Sequence, residues 1–424
     1  MSTEGASGSG AASAGLRSAA TREDGASERR GASGRGGRGR DAWWLCALVL
    51  VALNLRTPIA SIPPLVEPIA RDLRLSATAA GLLTTLPVVC MGLFAPVGAL
   101  ASRRWGRGRV LAGAVALILA GTALRLVPGA APLWTATVLC GIGIAVAGAL
   151  LPALVRARFQ DRIGPVTGLY TAGLIGGAML AAALTEPARA VLDGSWPAAL
   201  AVWAVPAAFA LAAWLPLAGS APATVAPRTA APWRDRTAWF AALYMGGQSL
   251  MYYGILAWLA ARYTAIGVPA AEAGLLLGLF SAAQLVSALT LPVLAHRPGR
   301  LRALIAASVS TSTVMLAAIA LVPAAAPYPW TVLLGLGVGG QFALALTLLG
   351  SLGRGPAESA AVSGMAFFIG YLLAALGPVA AGALRDVTGG YRVPFLALAG
   401  VGVMTLLAGM AAGSDRAVGS SSAG

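Results

Sequence analysis

The sequence is poor in charge and nearly empty of catalytic chemistry. Of 424 residues, 11% are charged and 58% are hydrophobic, whereas an ordinary soluble domain is about 25% charged. Lysine is absent: all 30 basic residues are arginine, which excludes a lysine nucleophile or Schiff base. The single histidine, His296, excludes an H-E-x-x-H zinc site and any histidine-rich metal centre. Cys46, Cys90 and Cys140 are far apart in apolar runs. They form no C-x-x-C pair and no disulfide framework, and read as small buried hydrophobes. No G-x-x-x-x-G-K-[ST] loop occurs, so this chain by itself is no ATP-driven pump. The 15 carboxylates fall in tails, loops or the ends of apolar runs, never mid-run. An intramembrane enzyme would want paired carboxylates, a Ser–His pair or a metal cluster inside those runs. No catalysis, cofactor or metal is therefore expected.

Long apolar runs dominate what remains. Residues 1–42 are Ser, Gly, Ala and Arg and read as a disordered cytoplasmic tail, too poor in apolar surface to fold. From Trp43 on, apolar stretches recur at 43–63, 77–101, 110–128, 133–155, 165–185, 196–217, 238–261, 271–295, 301–323, 329–352, 359–384 and 393–412. Each is long enough to cross about 30 Å of hydrocarbon as a helix. They are numbered here as spans 1 to 12. Continuous runs of this length exclude a β-barrel. The expected fold is an all-α membrane protein: a six-helix bundle over 43–217, a cytoplasmic linker at 218–237, a second six-helix bundle over 238–412, and a tail at 413–424.

The net charge of +15 does not point to nucleic acid once the arginines are sorted. With the N-terminus inside, 22 of them lie in the tails and in loops on the cytoplasmic side. Six lie outside, and Arg56 and Arg125 lie within spans. This bias places both termini in the cytoplasm. Trp43, Trp44, Trp134, Trp196, Trp239 and Trp330 sit near span ends, as interfacial anchors do.

The two halves repeat. Ala80-Gly81-Leu82-Leu83 in span 2 matches Ala273-Gly274-Leu275-Leu276 in span 8, 193 residues on. Gly141-x-Gly143 in span 4 matches Gly335-x-Gly337 in span 10, and Thr167-Gly168-Leu169 matches Ser363-Gly364-Met365, at offsets of 194 and 196. Six spans per half give both halves one topology, a parallel repeat about an axis along the membrane normal.

Those features resemble the major facilitator superfamily. The loop from Gly98 to Arg109 is similar to its Gly-x-x-x-Asp-Arg-x-Gly-Arg signature, with Ser102 or Arg103 standing where the acid would be. The resemblance implies a cytoplasmic gating loop carrying Arg103, Arg104, Gly106 and Arg107. A closer likeness runs through Asn54-Leu55-Arg56-Thr57-Pro58, Gly81 to Pro87, Gly247-Gln248-Ser249-Leu250, Tyr253 to Trp258, Phe342 to Leu346, and Gly370 to Pro378. This set resembles the cyanate permease and nitroimidazole transporter group. It implies a transporter of cyanate, another small anion or a drug-like nitroaromatic.

The residues themselves suggest where such a solute would sit. Arg56 lies 13 residues past Trp43, about 20 Å along a helix. An arginine at that depth costs about 3 kcal/mol to insert, so it should face a cavity or a partner. Its forked donors suit a small planar or linear anion; a salt bridge with Glu67, or snorkelling, is the structural alternative. Pro58 lacks an N–H and so frees the carbonyl of Asn54, breaking the helix. Asn54 adds a side-chain amide, although it points nearly opposite to Arg56 on an ideal helix. In span 7, Gln248 falls 194 residues after Asn54 and is followed by Tyr252, Tyr253 and Trp258. A few placed polar groups among flat apolar walls is the make-up of a small-molecule pocket. Gln341, Phe342 and Tyr371 are similar candidates. Arg125, three residues before Pro128, is expected to snorkel to the outer interface, with a secondary substrate contact as the other reading.

An anion entering alone climbs the inside-negative potential, about 2.3 kcal/mol per 100 mV. Concentrative uptake thus needs a coupling proton or an exchanged counter-anion; Glu67, Glu186, Glu272 and Glu358 are the candidate proton carriers. The expectation is a monomeric secondary transporter in the lipid bilayer of the cytoplasmic membrane. It moves a small anion or small polar organic solute by alternating access, without nucleic acid. The rival is an exporter of drug-like or nitroaromatic compounds in which Arg56 is structural.

Overall fold

The apolar runs fold as helices. The computed structural model describes residues 39–219, 232–295, 300–352 and 356–421, and no strand occurs among them. His296 with the loop to 299, the linker residues 220–231 and the tail residues 1–38 and 422–424 lie outside the described residues. Leu48 onward forms one compact unit, and residues 39–47 are helical. The first helix thus starts within the stretch expected as a tail. The last, Arg392–Ser421, runs on through most of the second expected tail.

Spans 1 and 6 are broken, and proline accounts for both breaks. Span 1 is helical over 39–54, turns at Leu55 and Arg56, and resumes as Thr57–Ala60, Pro63–Leu65 and Val66–Asp72. Pro58 cannot donate, and the Leu55 and Arg56 amides reach back only to Ala52 O and Leu53 O. The carbonyls of Asn54 and Leu55 are skipped by the backbone ladder, as a proline at this position dictates. Span 6 divides into Trp196–Ala201 and Ala204–Trp214. Pro206 leaves Val202 O to the Val205 amide at 3.0 Å.

The other spans are Ala77–Trp105, Arg107–Leu124, Ala130–Arg158, Ile163–Val191, Arg236–Thr264, Ala270–Ala295, Arg300–Leu321, Pro327–Ser351, Pro356–Thr388 and Arg392–Ser421. Eleven of the twelve are long and apolar enough to cross a membrane. Arg236–Thr264, span 7, has 29 residues but a more polar composition. Its Gln248, Ser249, Tyr252 and Tyr253 are buried in protein, so its low hydropathy reflects enclosure by other helices.

Glycine spacing sets the pseudo-symmetry. A Cβ on Gly141 would lie 2.9 Å from Cys90 Cβ in span 2, and one on Gly143 would lie 2.6 Å from Ala114 O in span 3. In the second half, Gly335 presses on Phe280 O in span 8, and a Cβ on Gly337 would lie 2.8 Å from Ser308 O in span 9. Spans 4 and 10 therefore use two glycines, two residues apart, to wedge between equivalent pairs of neighbours. The seam between the halves repeats too: Gly81 of span 2 abuts Pro378 of span 11, and Gly274 of span 8 abuts Ala182 of span 5.

One end of that seam is tied by side chains. Asp386 accepts from the Ala77 and Thr78 amides at 2.8 Å each and from the Thr78 hydroxyl at 2.5 Å. Arg385 pairs with Glu67 at 2.9 Å. Thr85 donates to Ala375 O at 3.0 Å. This Glu67 end is the one the arginine bias assigns to the outside. Nearby, Ile62, Leu65, Leu83, Leu133 and Trp196 form an apolar core. Trp196 was expected as an interface anchor. It is buried, and its indole donates to Asp72 at 2.9 Å. Cys46, expected buried, is exposed, while Cys90 and Cys140 are buried.

Gly335→Val should overpack the span 8–span 10 contact and cost about 1–3 kcal/mol. Fluorescence-detected size-exclusion chromatography should show a smaller monodisperse peak and a lower melting midpoint. A wild-type profile would show that the glycine wedge is dispensable.

Candidate functional site

Arg56 sits in the turn that Pro58 opens in span 1 and reaches across the seam to span 7. Its Nη1 donates to the Tyr253 hydroxyl at 2.6 Å. Its guanidinium carbon lies 5.3 Å from the ring centres of both Tyr252 and Tyr253. Those rings meet edge to face, 4.9 Å apart, and Tyr252 stacks on Phe280 of span 8. Tyr371 of span 11 lies within electrostatic range of the guanidinium and packs against Phe367. Tyr252 and Tyr253 are buried, whereas Arg56 and Tyr371 stay partly exposed. Among the described residues Arg56 pairs with no carboxylate: Glu67, its expected alternative partner, is taken by Arg385 and by the Tyr391 hydroxyl at 2.7 Å. Cation–π contacts and one neutral hydrogen bond hold the charge in place without cancelling it.

The other predicted residues are placed elsewhere. Asn54 is fully buried and donates to Leu50 O and, across to span 6, to Pro206 O. Its amide ties the two broken spans together. Gln248 spends its amide locally, on Met245 and on the Ser249 hydroxyl at 2.6 Å. Trp258 donates to Pro378 O at 2.8 Å and belongs to the Glu67 end, beside Tyr391 and Arg385. Gln341 joins span 10 to span 9 through Ser312 and Ser308. Phe342 packs on the second-half core with Tyr244 and Met245. Each polar group among these has a partner within the protein. The grouping that forms is Arg56, Tyr252, Tyr253 and Tyr371, with Pro58 setting the turn.

Arg125 does not snorkel. It is 1% exposed, and its Nη1 donates to Ser61 at 3.3 Å. In the loop between spans 2 and 3, Gly106 has φ 81°, a left-handed conformation that lets one residue end one helix and start the next. Arg103 and Arg104 are exposed there, Arg107 less so. Arg104 lies over Trp105.

Sequence reasoning missed the cluster at the Glu67 end. Tyr391, in the turn between spans 11 and 12, has its hydroxyl pKa pushed up by burial and then by Glu67. A cavity of about 440 Å³ opens at this end, lined by Pro63, Pro64, Glu67, Arg71, Glu186, Arg189 and Arg385. It contains none of the predicted binding residues. Arg189 pairs with Glu186 three residues before it on span 5, but Arg385 of span 11 meets Glu67 of span 1 only in space, so no local motif could signal that pairing. Met91 was also missed; it lies 3.6 Å from the Tyr253 hydroxyl.

Comparison with known proteins fits this architecture. A sequence model of the Major Facilitator Superfamily matches residues 44–378. The chain belongs to that superfamily. It is 32% identical over 381 residues to an uncharacterised transporter, YycB, of Bacillus subtilis (strain 168), covering 88% of this chain and 94% of that protein. It is 33% identical to the 2-nitroimidazole transporter of Escherichia coli (strain K12), covering 88% of this chain and 96% of the other. It is 34% identical to the cyanate transport protein CynX of the same organism, covering 85% and 95%. The fold matches a bacterial homologue of the human lysosomal transporter Spinster, with a TM-score of 0.72 at 16% identity over 88% of this chain and 96% of that one. This major facilitator chain is thus a multi-pass membrane transporter, not an enzyme.

Asp386→Ala should release the Ala77 and Thr78 amides at the start of span 2. Losing charged hydrogen bonds of about 1.5–3 kcal/mol predicts hydrogen exchange at these amides faster by about tenfold or more. Unchanged protection would mean that Asp386 does not tie the seam.

Proposed function

We propose that this transporter moves a small anion, similar in size and shape to cyanate, across the cytoplasmic membrane by alternating access, with Arg56 holding the negative charge. The observation that carries the reading is an arginine within a span, held by a tyrosine hydroxyl across the seam and left without a carboxylate among the described residues. A permanently charged guanidinium in that setting attracts an anion, and its fork recognises flat or linear ones. Contact with both halves lets the same group sense which side of the seam is closed. The likeness to the cyanate transport protein supports the anion class.

The Glu67 end faces outward if the arginine bias sets the orientation. The ties at Asp386 and Glu67 then close the outer side. Glu67 and Glu186 are each held by an arginine, and Glu272 accepts from Tyr328 at 2.7 Å. Carboxylates already engaged in this way are poor mobile proton carriers. This favours exchange for a second anion, or a proton that travels on the substrate.

A second reading rests on the aromatic wall. Tyr252 and Tyr253 lie against the Arg56 guanidinium, backed by Phe280, with Tyr371 and Phe367 packed together nearby, which suits a planar nitroaromatic and agrees with the likeness to the 2-nitroimidazole transporter.

The test is flux of labelled cyanate and of 2-nitroimidazole in proteoliposomes, with imposed pH gradients and potentials. Arg56→Gln should lower cyanate flux about 100-fold, as expected for a lost charged contact of about 3 kcal/mol. Tyr253→Phe should cost about tenfold or less. Cyanate flux equal to wild type in folded Arg56→Gln protein would sink the anion reading. 2-Nitroimidazole flux that survives Arg56→Gln would support the second.

A further inference from the structure

Arg125 is a second charge inside the membrane domain, and its environment is incomplete. It caps the C-terminal end of Arg107–Leu124 in span 3 and is 1% exposed. Nη1 donates to Ser61 Oγ at 3.3 Å, and the Ser61 hydroxyl in turn donates to Pro58 O. Nε and Nη2 have no hydrogen-bond partner among the described residues. No carboxylate pairs with Arg125 among the described residues. The C-terminal end of its own helix supplies about half a negative charge, which leaves the guanidinium under-compensated.

The unpartnered atoms are a matched pair. Nε–H and Nη2–H lie side by side on one edge of the planar guanidinium, so a single in-plane ligand can accept from both. This protein already uses that edge elsewhere: Arg189 donates from Nε to Glu186 Oε2 at 2.9 Å and from Nη2 to Glu186 Oε1 at 2.6 Å. At Arg125 the same edge has no carboxylate among the described residues, and the titratable group within electrostatic range is the buried Cys140 thiol. Thr57, one helical turn before Ser61, is likewise fully buried with an unpartnered hydroxyl. A water molecule could accept two hydrogen bonds but would leave the charge standing.

We propose that the Nε/Nη2 edge of Arg125 binds a small monovalent anion of about chloride size, at a site separate from Arg56. The anion completes the charge balance beside the break in span 1, with Ser61 on the opposite edge and the Thr57 hydroxyl as a further donor. It has two sources, a resident inorganic ion or the transported anion itself. The site does not depend on the role assigned to Arg56.

The test uses the full chain in nanodiscs. Melting midpoints are read in sodium chloride against sodium gluconate at equal ionic strength, for wild type, Arg125→Gln and Arg56→Gln. Chloride should raise the wild-type midpoint saturably by about 3 °C, should do the same for Arg56→Gln, and should do nothing for Arg125→Gln. A wild-type midpoint insensitive to chloride overturns the proposal, as does an undiminished response in Arg125→Gln. Should Arg125→Gln fail to fold, equilibrium binding of radioactive chloride to Arg56→Gln protein decides. One saturable chloride per chain upholds the site, and none overturns it. Displacement of that chloride by cyanate assigns the edge to the transported anion, and persistence assigns it to a resident ion. Loss of transport in Arg56→Gln with chloride binding intact separates this site from the transport site.

Discussion

A guanidinium cannot shed its charge, and hydrocarbon cannot solvate it. Everything distinctive in this chain follows from enclosing two of them within helices. Arg56 is met by tyrosines of the opposite half, and Arg125 by a serine of its own half. Both lie beside the same interruption of span 1. The break that Pro58 forces releases carbonyls and turns Arg56 towards span 7. It also exposes the Ser61 hydroxyl to Arg125. One imino acid thus places both charges.

The scaffold around them is built from absence of side chains. Where a helix must lie close against two neighbours, the sequence supplies glycine, and it does so twice at equivalent places in each half. Without hydrophobic drive between helices in lipid, such close backbone approach supplies much of the packing energy. Polar ties such as Asn54 to Pro206 O and Gln341 to Ser312 then fix registry inside each half. Both amides were candidate ligand groups; in the structure they find partners within their own half.

The fold was therefore legible almost entirely. Hydropathy marked the spans, and the glycine offsets revealed the repeat, because both are one-dimensional signals. Span 7 was also read, as the apolar stretch 238–261, although its composition is the least membrane-like. The site was legible only in part. Arg56, Tyr252, Tyr253 and Tyr371 do assemble, since a charge and three phenols near one depth had few other places to go. Arg125 was misjudged because its distance from the span end suggested escape to the interface, while Ser61, its neighbour, lies 64 residues away. The Glu67, Arg385 and Tyr391 cluster draws on residues more than 300 positions apart, and no window on the sequence holds both.

The chemistry of the seam also bears on how the halves part. Its middle is tied by Arg56 and Tyr253, and its Glu67 end by ions that keep contact with water: Arg385 and Glu67 are 27% and 35% exposed. Exposed ion pairs are worth at most about 1 kcal/mol, so they orient the closed end without locking it. The glycine contacts of Gly81 and Gly274 need tight geometry yet bury no charge, so separating them costs packing and little else. The charged hydrogen bonds of Asp386 to the Ala77 and Thr78 amides are the stronger tie at the Glu67 end, so opening the seam takes a differential affinity large enough to offset them. Under the proposed function, an anion bound by the Arg56 N–H groups that Tyr253 does not take would supply such a difference.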